Sequence, residues 1–178
     1  MTTYYTSDLH LGHRNIIEYC ERPWADVLEM DDALIWQWQD TVGPEDTIYH
    51  VGDMTLGGPN ILLGYLKQLT GRIKMIAGNH DLKALKKLAA AWLLPENVEY
   101  LGKEAIVTLG HQDMKLFHYP EPPYARLDRG LIHGHTHGQG AWHTKAVKEP
   151  GTVDVCWDIH KKILTSTEVL ELWKAGQE

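Results

Sequence analysis

The chain is 178 residues long, with 43% apolar and 23% charged residues, which suits one soluble globular domain spanning 1–178 and excludes disorder, collagen and coiled coil. Seventeen Lys and Arg stand against 24 Asp and Glu, a net charge of −7, so a broad nucleic-acid or anionic-membrane surface is not expected. Eleven histidines beside two cysteines and one phenylalanine ask for metal or proton chemistry.

Residues 1–5 lack a charged and apolar leader pattern, and the longest apolar run, Leu88 to Leu94, is too short to cross a bilayer. A cytoplasmic location is therefore expected, with Cys20 and Cys156 as buried free thiols.

In chain order, Thr3–Ser7 reads as a strand ending at Asp8, and Met30–Thr41 as a helix with Leu34, Ile35 and Trp38 on one stripe. Thr47–Val51 is a second strand, closed by Gly52-Asp53. Asn60 is expected to cap a helix through Leu69. Arg72–Ala77 is a third strand, closed by Gly78-Asn79-His80-Asp81, and Leu82–Leu94 is a helix stopped by Pro95. Ile106–Leu109 and Met114–Phe117 predict a hairpin around Gly110-His111-Gln112-Asp113. A loop, Tyr119–Arg129, leads to a brief strand, Leu131–His133. Val153–Trp157 and Ile163–Leu164 read as a final hairpin, and Thr165 with Glu168 as the capping box of a last helix ended by Gly176. The pattern implies a layered α/β domain whose second half is antiparallel.

Asp8, Asp53, Asn79, His118 and His135 each fall at or just past the end of a predicted strand. The carboxyl ends of strands are where open α/β sheets bind ligands. The blocks are Asp8-Leu9-His10, Gly52-Asp53, Gly78-Asn79-His80-Asp81, His118-Tyr119-Pro120 and Gly134-His135-Thr136-His137. On an extended strand i and i+2 share a face, so both side chains of Asp-X-His and of His-X-His can reach metal. One block alone is weak; five in order are strong.

The set resembles the calcineurin-like metallophosphoesterases, and His118-Tyr119-Pro120 is similar to a block of their short phage and bacterial members. The resemblance implies a layered β sandwich flanked by helices. It implies one ion held by Asp8, His10, Asp53 and His137, and a second held by Asp53, Asn79, His118 and His135. It also implies hydrolysis of a phosphoester in which solvent bridging two divalent ions attacks phosphorus in line. Imidazole nitrogen with two carboxylates and no thiolate favours Mn, Fe, Ni, Co or Zn over Mg. His80 is expected as a catalytic residue that binds the phosphoryl group or protonates the leaving oxygen, with Asp81 orienting it.

His13 is expected either to touch substrate or to cap the segment beginning at Asn15, and Arg14, Arg126 and Arg129 flank motifs where they would bind phosphate oxygens. His133 is expected under the site, with His111, His143 and His160 in solvent, and Trp24, Trp36, Trp38 and Trp92 in core or groove. No Asp-Arg-Gly follows Gly52-Asp53, which counts against a protein phosphatase. The substrate expected is a small nucleotide or cyclic nucleotide diester, with no long nucleic acid and no membrane as partner. The alternatives are a nuclease on short single strands and a non-catalytic metal- or nucleotide-binding module.

Overall fold

The computed structural model describes residues 1–121, 129–138 and 151–177, folded as two β-sheets flanked by helices. Strands β1 (Thr3–Thr6), β2 (Thr47–Val51), β3 (Arg72–Ile76) and β4 (Val98–Gly102) form a parallel set, and β9 (Leu164–Thr165) pairs antiparallel with β1. The sheet order is β4-β3-β2-β1-β9. The second sheet, β5-β6-β7-β8, is made of Glu104–Leu109, Gln112–Phe117, Gly130–His133 and Thr152–Asp154.

Period-2 burial explains the layers. Tyr5, Val51 and Ile76 point from the first sheet into an inter-sheet core with Met114, Leu116, Ile132 and Val153. Ile48, Ile73 and Met75 point the other way, under helices α2 (Val27–Thr41), α3 (Pro59–Leu66) and α4 (Leu82–Ala90). Helix α2 starts where Asp26 accepts the N–H groups of Leu28 and Glu29, and it buries Met30, Leu34 and Trp38, four residues apart. Trp38 is fully buried and its indole N–H donates to the Thr70 carbonyl at 2.9 Å. The last helix, α6 (Ser166–Ala175), has the expected Thr165–Glu168 capping box and adds Val169 to the inter-sheet core.

Several expectations are corrected. The β5–β6 turn is only Gly110-His111, because Gly110 takes φ +64° and pairing resumes at Gln112. Strand β6 pairs parallel with β7, and β7 parallel with β8, so the second half is not antiparallel throughout. The expected last hairpin does not exist, since β8 joins the second sheet and β9 the first. Short helices α1 (Asn15–Tyr19) and α5 (Trp157–His160), and strand β4, carry too little periodicity to be read in advance. Helix α3 begins from Gly58 with Pro59 in its first turn, not from Asn60. Trp36 and Trp92 are 66% and 93% exposed, outside any core. His160 Nε2–H donates to the Asp154 carbonyl at 2.8 Å, so it is not a free solvent group.

In the parallel register Thr6 faces His50, and His50 faces Met75. The carboxyl ends of β1, β2 and β3 are therefore level, and each chain segment turns out at the same edge. The parallel pair β6–β7 ends level too, and a Ser7–Cys156 bridge ties the two sheets together there.

Candidate metal centre

Seven side chains meet at this edge. Asp8 and His10 follow β1, Asp53 follows β2, Asn79 follows β3, His118 follows β6, and His135 and His137 follow β7. Ligand atoms of Asp8, His10 and His137 lie within 4.8 Å of one another, as do those of Asp53, His118 and His135. The two groups adjoin: His10 Nε2 is 3.9 Å from Asp8 Oδ1 and 3.7 Å from Asp53 Oδ2. His118 Nε2 is 3.3 Å from the same Asp53 oxygen and 3.2 Å from Asn79 Oδ1.

Each carboxylate divides its labour. Asp8 Oδ2 accepts the Ser7 hydroxyl at 2.5 Å and the His135 N–H at 2.9 Å, while Oδ1 is buried without a hydrogen-bond partner. Asp53 Oδ1 accepts the His80 N–H at 3.0 Å and leaves Oδ2 facing the imidazoles. The imidazoles are sorted likewise. His118 Nδ1–H donates to the Val51 carbonyl at 2.9 Å and His137 Nδ1–H to Asp158 Oδ2 at 2.7 Å, turning both Nε2 atoms inward. Both ring nitrogens of His10 are buried and unpartnered. Orphaned buried donors and acceptors of this kind are rare. Their convergence, in a donor set of imidazole nitrogen and carboxylate oxygen, fits divalent metal.

The electrostatics point the same way. Burial would raise the Asp8 pKa, but the His10, His118 and His137 imidazoles around it hold it well below the usual carboxylate range. Burial opposes a charged His118, yet the Asp53 hydrogen bond and the Asp8 charge push it up to about 9. Burial likewise opposes charge on His137, and Asp158 outweighs it, up to about 10. In the metal-free chain protons thus occupy the place of cations.

The route by which Asp-X-His and His-X-His converge differs from the strand alternation expected. Strands β1 and β7 end at Thr6 and His133, before either pair begins. Asp8, His10, Asp53, His135 and His137 instead take left-handed backbone, with φ of 59°, 53°, 60°, 74° and 52°. Such strain in non-glycine residues gathers at functional sites. Glycine enters for another reason, room. A Cβ on Gly78 would strike Asp53 Oδ1, and one on Gly134 would strike Asp8 Oδ2 and Ser7 Oγ.

The surrounding expectations divide. The His80 ring is 39% exposed with Nε2 3.8 Å from Asp53 Oδ2, open to a bound substrate. Asp81 is wholly buried and accepts the N–H groups of Gly78 at 2.8 Å and Met54 at 2.9 Å. It joins the turns that carry Asp53 and Asn79, a supporting place in which both oxygens serve backbone and not the His80 ring. His13 stands 5.5 Å from the His10 ring; the α1 N-cap is Arg14, with no side-chain capping bond. Arg14 is exposed beside it. Arg129 precedes β7 and so sits at the opposite end of that four-residue strand from His135, roughly 13 Å of extended chain away. Arg126 and His143 lie outside the described residues. Tyr119 is the part of its loop that borders the site, 4.7 Å from the His135 ring and 36% exposed.

The sequence reading missed Arg22, His50 and Asp158, all buried around the site. Their neighbours in sequence form no motif, and only the tertiary fold brings them in.

A family model, the Calcineurin-like phosphoesterase superfamily domain, matches residues 1–167. The Gene 66 protein of Mycobacterium phage L5 is 34% identical over 161 residues, covering 76% of this chain and 77% of that protein. The Gene 66 protein of Mycobacterium phage D29 is 32% identical over 192 residues, covering 95% and 94%. A solved structure of a protein of unknown function, AQ665 from Aquifex aeolicus, superposes with a TM-score of 0.72 at 25% identity, covering 96% of this chain and 98% of that one.

Proposed function

The chain belongs to the calcineurin-like phosphoesterase superfamily, and from that premise we propose that it is a binuclear metal-dependent phosphodiesterase acting on small nucleotide or cyclic nucleotide substrates. Asp8, His10, Asp53 and His137 would hold one ion, and Asp53, Asn79, His118 and His135 the other. Such ions supply Lewis-acid charge to phosphoryl oxygens and an acidified water as nucleophile. Asp53 is the shared carboxylate, the one whose Oδ2 lies near both groups.

The protein's own groups do the rest. His80 presents its ring at the mouth of the site, where burial together with the His10 and His118 charges lowers its pKa against the pull of Asp53. At neutral pH it is therefore a neutral ring whose N–H is available to a phosphoryl or leaving-group oxygen. Tyr119, edge-on to His118 and His135, offers an aromatic wall to a base or an aryl leaving group.

The observation that carries the diester reading is the distribution of arginine among the described residues. Arg22 is buried on Asp158, Arg72 opens β3 and Arg129 precedes β7, both at the strand ends away from the site. Exposed Arg14 alone remains near the ligand blocks. A dianionic monoester is normally gripped by forked guanidinium groups, whereas a monoanionic diester asks for less. Nothing in the described helices is long and apolar enough to cross a membrane.

The test is turnover of bis-(p-nitrophenyl) phosphate, p-nitrophenyl phosphate, cyclic mononucleotides and plasmid DNA with added Mn, Co, Ni or Zn. Diester and cyclic nucleotide cleavage should exceed monoester cleavage, with plasmid DNA left intact. Preference for the monoester overturns the diester reading, efficient digestion of plasmid or single strands makes it a nuclease, and inertness throughout leaves a binding module.

A further inference from the structure

Behind the first ligand group lies a buried ion pair with no obvious stabilising purpose. Arg22, its side chain fully buried, grips Asp158 with Nε and Nη2 at 2.8 Å each. The same guanidinium donates from Nη2 to the Asp8 carbonyl at 2.8 Å and from Nη1 to the Leu9 carbonyl at 2.7 Å. Asp158 in turn accepts His137 Nδ1–H at 2.7 Å, and His137 Nε2 points at Asp8 Oδ1, 3.6 Å away. A closed circuit results: Arg22 to Asp158, to His137, to Asp8, and back to Arg22 through the Asp8 backbone. Trp157 roofs it, its ring 5.3 Å from Arg22 Cζ and stacked on Trp24.

Removing two charges from water is costly, and a buried pair of this kind seldom stabilises a fold more than packed apolar groups would. A cation site is the other candidate, since ligand atoms of Cys20, His137 and Asp158 also lie within 4.8 Å of one another. The charges argue against it. Asp158 already faces the Arg22 guanidinium through both oxygens and Lys161 Nζ at 3.4 Å, so a third cation there would meet two.

We propose that Arg22 and Asp158 are positioning residues for one ion of the pair, the one taken by Asp8, His10 and His137. Asp158 fixes the His137 ring with Nε2 toward Asp8, and Arg22 holds the left-handed turn at Asp8 (φ 59°) through the Asp8 and Leu9 carbonyls. The neighbouring group is braced separately: Val51 O orients His118, and the His80 N–H and Asp81 hold the Asp53 and Asn79 turns. The circuit therefore acts on one ion and not the other. The proposal rests on the two-ion reading above.

The experiment titrates metal-free protein with Co(II), followed by calorimetry and by the visible absorption of the bound ion, with no substrate present. Wild-type protein should take two ions. In Asp158→Asn one site should weaken by about 10–100-fold while the other keeps its affinity and spectrum. Arg22→Lys, a second variant that keeps the charge and loses the forked contacts, should weaken the same site. Leu85→Ala, which loosens the helix-side core at α4, should lower the melting temperature and leave both affinities unchanged. Folded Asp158→Asn or Arg22→Lys protein with both affinities unaltered, or with both lowered alike, overturns the proposal and leaves the two-ion reading standing. Wild-type protein that takes fewer than two ions overturns both.

Discussion

The backbone N–H of His80 donates to Asp53 Oδ1 at 3.0 Å, while its imidazole Nε2 lies 3.8 Å from Asp53 Oδ2. One residue thus anchors the shared carboxylate through its main chain and faces the reaction space with its side chain. The two duties separate cleanly by mutation, because side-chain truncation leaves the N–H in place.

Asp53→Asn should remove both ions and turnover together. The amide keeps the shape and the acceptor for the His80 N–H but deletes the charge that both ligand groups share. Elemental analysis of the purified variant checks this; retention of two ions with activity would contradict the shared role.

His80→Ala should leave metal content unchanged and slow turnover by roughly 10²–10⁴-fold. If the ring protonates the leaving oxygen, the loss shrinks for nitrophenolate, which departs without a proton. Equal losses for good and poor leaving groups assign the ring to phosphate binding instead. Comparing kcat for aryl and alkyl diesters decides between them.

Metal-free stability should fall as pH rises. His118 at about 9 and His137 at about 10 hold their protons more tightly when folded than a free imidazole does. Their contribution is complete below about pH 6.5 and is lost as pH climbs through 9 and 10. Asp8 and Asp53 have lowered values, so their contribution is present above about pH 4 and is lost as pH falls. Ions bind deprotonated ligands, so loading at pH 7 should expel about two protons. Thermal melts against pH, and calorimetry in buffers of different ionisation enthalpy, measure both effects; release of no protons would refute this charge assignment.

Gly134→Ala should cripple the site without touching a ligand. The added methyl meets Asp8 Oδ2 and Ser7 Oγ, pushing the carboxylate off its His135 N–H. Loss of Asp8 alignment should weaken one ion about tenfold or more, measured by metal titration. Unchanged binding would mean that the turn yields elsewhere.

The cluster of candidate ligands was legible because its members come in short blocks, each beside a strand whose apolar run announces it. Asp53, Asn79 and His118 could be placed at strand ends from the runs Thr47–Val51, Arg72–Ala77 and Met114–Phe117, and the strands found there agree to within two residues. Sheet membership was less legible. Whether β8 pairs with β7 or with β9 depends on contacts some 20 residues and more away, which no local pattern encodes. Left-handed backbone at His10 or His137 was also hidden, since positive φ is uncommon in any non-glycine residue and no local pattern announces it. Arg22 and Asp158 read as ordinary charged residues because their partners, 136 positions apart, are supplied by folding alone.

Those left-handed turns set ruggedness against function. Each non-glycine residue held at positive φ costs about 1 kcal/mol that the metal-free chain must carry, and five of the seven candidate ligands sit there. Replacing one of them, His135 at φ 74° for instance, by glycine relieves that strain while deleting a ligand. A screen for thermal resistance run in chelator would therefore enrich inert variants, and only selection in the presence of divalent ions would keep the catalyst.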